Sequence, residues 1–323
     1  MPPESEYPLQ SLTAARVVVV AGKGGVGKTT VTAVIARAAS ATGQRVLLVE
    51  LDGKPTLANL VPDLEVLAIS APEALDEYLR EHGFSRIAKR LNRTGVIEVV
   101  GTAAPGIDDI VVLGKIKQLE RSGKYDLIVV DGPAAGHAIT FLTSAAGLSG
   151  AVHSGPVRAQ ADDVLELLHD GERCQVVLVA LPETTPVNEV VETAFALEDT
   201  VGVQLGPVVV NMVDVVGGSS GAGFVSGPVA TVIESLPGDV ATRAAVSQLD
   251  DPVVAAALVE AAAFRRSRRE MEAEELARLA AALPIPRVLL PARLVAGLSP
   301  IDIDALASVL GDPGVNREAG DDA

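Results

Sequence analysis

RVVVVAGKGGVGKTT, residues 16–30, decides how this chain folds. Arg16–Ala21 is a β-branched run of strand length with no polar interruption, the pattern of a strand buried on both faces. Glycines then crowd the segment Gly22–Gly27. A helical stretch follows from about Lys28 to Thr42, and Gly43 stops it. Arg45–Leu51 (RVLLVEL) is a second apolar strand. Strand, glycine-rich loop, helix, strand is a βαβ unit, which requires parallel strands.

Outward from this unit the alternation continues. Ala71–Asn92 reads as helical, Val96–Val100 as a short strand and Ile110–Ser122 as an amphipathic helix. Asp126–Val130 (DLIVV) is a strand that ends at Asp131 and the loop GPAAGH. A helical region is expected over residues 138–168, strands over Gln175–Leu181 and Pro207–Asn211, and a helix between those strands. Pro252–Leu283 is a long Ala-rich helix, Arg287–Leu290 a last strand and Ser299–Leu310 a closing helix. The fold class is therefore α/β: a doubly wound, mostly parallel sheet flanked by helices. Residues 1–14 are expected to be a flexible leader, 15–310 one domain, and 311–323 a loose acidic tail. Residues 217–227 (GGSSGAGFVSG) read as a flexible loop.

Composition fits this class. The 323 residues are 48% hydrophobic but only 2% aromatic, with no Trp. The core must be built of Val, Leu, Ile and Ala, as in a sheet covered on both faces. The net charge of −16 disfavours nucleic acid and anionic membrane as partners. The basic run Arg265, Arg266, Arg268, Arg269 is followed at once by glutamates and reads as a solvated helix face. The single cysteine, Cys174, can form neither an internal disulfide nor a multi-cysteine metal site, and it opens an apolar run that reads as core. No apolar run approaches the ~20 residues of a membrane span, and the N-terminus lacks the pattern of a signal peptide. A soluble, cytoplasmic protein is expected.

Gly22-Lys23-Gly24-Gly25-Val26-Gly27-Lys28-Thr29 fits G-x-x-x-x-G-K-[ST]. Glycines let successive N–H groups point inward as an anion nest, and the positive end of the following helix adds to it. Lys28 can reach β and γ phosphates, and the Thr29 hydroxyl can ligate Mg²⁺. The same residues also contain G-x-G-x-x-G, with Glu50 or Asp52 where a ribose-binding acid would stand. That fingerprint asks for neither Gly-Lys-Thr at its end nor an aspartate closing a later strand. Both are present here, as Gly27-Lys28-Thr29 and Asp131, so the phosphate-loop reading is preferred.

From Lys23 to Thr30 the chain resembles the deviant Walker A class of ATPases, marked by an extra lysine at the loop's start. The resemblance implies that this lysine, here Lys23, reaches across a dimer interface to the partner's nucleotide. Three more segments resemble the ArsA-type branch, the arsenite-pump and tail-anchored-protein-targeting ATPases. Asp52-Gly-Lys-Pro-Thr is similar to that branch's switch I, with Gly53 and Lys54 in place of Pro-Ala. Asp131-Gly-Pro-Ala-Ala-Gly-His137 is similar to switch II, and Asn211 to an adenine-binding asparagine. Val288–Leu294 (VLLPARL) is similar to the loop, here at Pro291, that passes the base, and Ala103–Gly106 recurs as well.

The resemblance implies a P-loop NTPase fold and a Mg-dependent ATPase. ATP would lie on Gly22, Lys23, Gly24, Gly25, Val26, Gly27, Lys28, Thr29 and Thr30. Mg²⁺ would be held by Thr29 and Asp131, and through water by Asp52, which would also orient the attacking water. The catalytic set is then Asp52, Lys23 and Lys28. The chain would work as a homodimer, or as a heterodimer with a paralogous ATPase. It would couple nucleotide state to a client or membrane-associated protein.

Departures narrow this. The clustered cysteines of arsenite sensing and the Cys-x-x-Cys zinc staple are missing. The segment between switch II and the next strand is short and has no Met, so a client groove there is reduced; helical interaction elements are expected at about 61–95 and 138–170. Two alternatives stand: a weakly hydrolysing subunit beside a catalytic paralogue, and a partition-type spatial organiser, which the acidic charge disfavours.

Overall fold

The computed structural model describes residues 8–51, 56–81, 106–214, 251–293 and 295–311. Asp52, the strand expected at Val96–Val100, Ala103–Pro105, the 217–227 loop and the tail beyond Gly311 lie outside these residues, as does part of the 61–95 element.

The strands are β1 (Val17–Gly22), β2 (Val46–Glu50), β3 (Glu65–Ala68), β4 (Leu127–Ala134), β5 (Cys174–Ala180), β6 (Gln204–Leu205), β7 (Val208–Val213) and β8 (Arg287–Pro291). They form one sheet in the order β3-β2-β4-β1-β5-β7-β8, with β6 paired to β5. Each strand pair is parallel. All carboxyl ends therefore share one edge, and the first strand of the chain lies in the middle of the sheet.

Alternation along each central strand divides the core in two. Val17, Val19, Leu47, Val49, Ile128, Val130, Val176, Leu178, Val208 and Val210 face one layer. It is covered by α4 (Ala71–Glu81), α5 (Ile107–Arg121), α6 (Ala135–Ala151), α7 (Pro156–His169), α8 (Thr184–Thr200) and the C-terminal part of α9 (Pro252–Ala282). Val18, Val20, Leu48, Val129, Val177, Val179 and Val209 face the other. That layer is covered by α1 (Pro8–Leu12), α2 (Lys28–Ala41), α3 (Thr56–Leu60) and α10 (Pro300–Leu310). Burying each Val or Leu contributes about 1.5–3 kcal/mol, and having two covered faces explains strands that read as unbroken apolar runs. Cys174 belongs to the first layer, and burial pushes its thiol up to about 12, so it is an inert core residue.

Four expectations need correction. Residues 8–12 are not a flexible leader: α1 buries Leu9 and Leu12, and Gln175 donates from β5 to the Leu12 carbonyl at 2.8 Å. Residues 61–95 are not wholly helical, since β3 pairs with β2 as an edge strand. The helical stretch over 138–168 is two helices, broken where Gly155 adopts φ 100° ahead of Pro156, a combination a continuing helix does not accept. The arginine run is not simply solvated. Arg268 pairs with Glu272 one turn on, but Arg265 clamps Asp214 with two contacts of 2.6 Å, and Arg269 joins it. This pins α9 to the carboxyl end of β7.

The closing helix has the cap its sequence announces. Ser299 and Asp302 form a reciprocal capping box, and Arg293 holds the other carboxylate oxygen at 2.6 Å. The Ser299 hydroxyl, Arg293 and the Ser299 amide hold the Asp302 carboxyl down at about 2. A depressed carboxyl stabilises the fold above its unfolded value near 4, and the contribution is lost as pH falls through 2. Asp302→Asn is thus expected to cost on the order of 1 kcal/mol at neutral pH and to flatten the melting-temperature profile between pH 4 and pH 2. Thermal melts of both proteins across that range check this.

Candidate functional site: the phosphate loop at the carboxyl edge

The loop after β1 emerges at the centre of the carboxyl edge, where open α/β sheets bind ligands. Its backbone depends on glycine. Gly25 and Gly27 take φ 90° and 89°, a region that costs other residues about 1–2 kcal/mol. A Cβ at Gly22 would overlap the Val179 carbonyl of β5, and one at Gly132 would overlap the Val20 carbonyl of β1. Gly27 is the N-cap of α2, and no side chain caps it. The first intrahelical bond runs from the Val31 amide to the Gly27 carbonyl at 2.9 Å. The amides of Lys28, Thr29 and Thr30 have no intrahelical acceptor, as in any first helical turn, and the helix dipole favours an anion there.

Asp131 lies within β4, beside Val20 of β1. The strand runs on to Ala134 and α6 begins at once, so the residues expected as a loop are a strand end and a helix start. The exposed His137 stands on the first turn of α6. The Thr29 hydroxyl donates to Asp131 Oδ2 at 2.7 Å. Two hard oxygens side by side at a helix N-terminus suit Mg²⁺, which is held by one or two protein oxygens plus phosphate and water. These residues therefore fit the ion the resemblance implies. Among the described residues no cluster of three His, Cys, Asp or Glu offers a separate metal site.

Both loop lysines are engaged internally. Lys28 Nζ lies 3.5 Å from the Lys23 carbonyl. Lys23 Nζ donates to Glu189 Oε1 of α8 at 2.5 Å. Nothing in the sequence marks Glu189 among the acids of its helix.

Asn211 is buried, and its amide donates to the Val26 carbonyl at 3.0 Å. A bulge turns it there: β7 and β8 shift register between Val210 and Val213, and Met212 takes φ 61°, an uncommon conformation for a non-glycine residue. Asn211, expected as an adenine contact, is thus bonded to the phosphate loop. Pro291 pairs with Val213 across the bulge, at the same edge. The structure thus gathers Gly22–Thr30, Asp131, Asn211 and Pro291 at one edge of the sheet.

Gly27→Ala sets two costs against each other, because its Cβ would overlap the Asn211 amide in a backbone that disfavours side chains. We expect at least a tenfold loss of nucleotide affinity from a strain of about 1–2 kcal/mol plus displacement of Asn211. Gly27→Ala with Asn211→Ala should recover the steric part alone. Calorimetric titration of the three proteins separates the two.

The family described as anion-transporting ATPase (ArsA_ATPase) matches residues 15–154. The ATPase BagA of Mycobacterium tuberculosis is 37% identical over 227 residues, which cover 62% of this chain and 66% of that protein. An arsenical pump-driving ATPase of Escherichia coli is 31% identical over 192 residues, covering 56% of this chain and 32% of that protein. The chain thus spans somewhat under two thirds of the mycobacterial relative and about a third of the enterobacterial one. The matched segment carries the phosphate loop and Asp131, and with the mostly parallel sheet these likenesses support an ArsA-type P-loop ATPase family.

Proposed function

We propose that this chain binds MgATP on the Gly22–Thr30 loop and hydrolyses it, acting as a dimeric switch that couples nucleotide state to a partner protein. The observation that supports this most is the Thr29–Asp131 hydrogen bond at the uncapped start of α2. In this reading the loop amides and Lys28 bind the phosphates. Thr29 and Asp131 would hold Mg²⁺, which would supply positive charge against the phosphates. Asp52 orients the attacking water. Phosphoryl transfer needs chiefly positioning and charge stabilisation, which these residues can supply.

Asn211 and Pro291 flank the base. Lys23 serves the nucleotide of a second copy, or of a paralogous chain. The client is a protein, soluble or membrane-associated, and the compartment is the cytoplasm. Among the described residues no helix is long and apolar enough to cross a membrane. Arsenite responsiveness is no part of this proposal, since the single cysteine is buried and its thiol is pushed up to about 12 by that burial.

The test is phosphate release from MgATP, with sizing, for the wild type and Asp52→Asn. Wild type should turn over and enlarge to a dimer with ATP. Asp52→Asn should lose about 100-fold or more in turnover while still binding nucleotide. Bound nucleotide with no turnover in either protein would rule out the hydrolase reading in favour of a weakly hydrolysing subunit.

A further inference from the structure

The Lys23–Glu189 pair ties the phosphate loop to α8. β1 lies between β4 and β5. Asp131 belongs to β4, on one flank of β1. Glu189 stands in the second turn of α8, which follows β5 on the other flank. The β1–β5 register brings Gly22 beside Val179, where the Val179 carbonyl leaves no room for a Cβ. The Lys23 ammonium is held by α8, the helix that follows β5, whereas Asp131 lies on the strand at the other flank of β1. The Lys23 carbonyl meanwhile faces Lys28 Nζ. A phosphate oxygen would compete for both lysines, and Glu189 is the anion it has to displace from Lys23.

We propose that Glu189 is a positioning residue that parks Lys23 within its own chain until nucleotide draws it away, so that Glu189 sets the affinity for ATP. This rests on the MgATP reading of the loop. The two side chains are 37% and 35% exposed, so the pair has the modest strength of a partly solvated one. That suits a contact meant to be broken on each binding event rather than a structural staple.

The test is calorimetric titration of a non-hydrolysable ATP analogue, AMP-PNP with Mg²⁺, into wild type, Glu189→Gln, Lys23→Ala and the double variant, at low and high salt. Thermal melts without nucleotide confirm that each is folded. Glu189→Gln should bind about 2- to 5-fold more tightly than wild type at low salt, the range an exposed pair can hold back. The difference should shrink at high salt as the pair is screened, and it should vanish in the Lys23→Ala background.

Unchanged or weaker binding by Glu189→Gln, with wild type binding normally, would overturn the role of Glu189 and leave the loop's function standing. Tightening that persists without Lys23 would overturn it too, since Glu189 would then act on the nucleotide directly. Failure of both wild type and Glu189→Gln to bind would overturn the positioning role and the MgATP reading together.

Discussion

Lys28→Ala is expected to lose about 10²- to 10³-fold in ATP turnover, the scale of removing one preorganised charge from a phosphoryl-transfer site. Lys28 is the first residue of α2, and its ammonium lies over the loop, 3.5 Å from the Lys23 carbonyl. That carbonyl is a poor substitute for phosphate oxygens, so the lysine is held inside the loop at little cost in releasing it. Replacing it by Ala removes a charge and leaves the glycine backbone intact. The fold should survive: α2 is secured by Val31, Val34 and Ile35 in the core, and Ala is at least as good a helix former as Lys. A melt within a degree or two of wild type, alongside the lost phosphate release, separates a chemical defect from a folding one. Turnover within threefold of wild type would mean that the phosphates lie elsewhere.

Asp131→Asn has the second large effect, and it is a different one. The Thr29 hydroxyl can still donate to an Asn carbonyl oxygen, so the 2.7 Å contact and the local packing are retained. What is lost is the negative charge that favours a hard cation. Nucleotide affinity of the wild type should rise at least tenfold on replacing EDTA by Mg²⁺, whereas Asp131→Asn should show little such gain and a turnover reduced about 100-fold. Titrations with and without the metal check both. An Asn variant with an undiminished Mg²⁺ response would remove Asp131 from the metal site.

The central strands are legible in the sequence because both their faces are buried. Val17–Val20, Leu127–Val130 and Val176–Ala180 read as unbroken apolar runs for that reason. The phosphate loop is legible because its backbone demands glycine, as the positive φ of Gly25 and Gly27 bears out. Edge and surface elements are not legible in the same way. The edge strand Glu65–Ala68 is four residues long and largely open to solvent, so it carries no buried periodicity. The helix Pro8–Leu12 depends on two leucines and on Gln175, more than 160 residues away. Asn211 is recognisable as a strand-closing polar residue, but the bulge at Met212 that turns it to the loop is a matter of register with β8. Glu189 is one acid among several on α8; only the strand order places it opposite Lys23.

Hydrogen–deuterium exchange across the phosphate loop tests the central claim most directly, because it reads the amides themselves. On addition of MgATP to the full chain, the amides of Gly24–Thr30 should slow markedly. Lys28→Ala at the same nucleotide concentration should show much weaker protection. If MgATP binds while exchange in Gly24–Thr30 is unchanged, the loop is not the nucleotide's phosphate site; equal protection in the two proteins would remove Lys28 from that site.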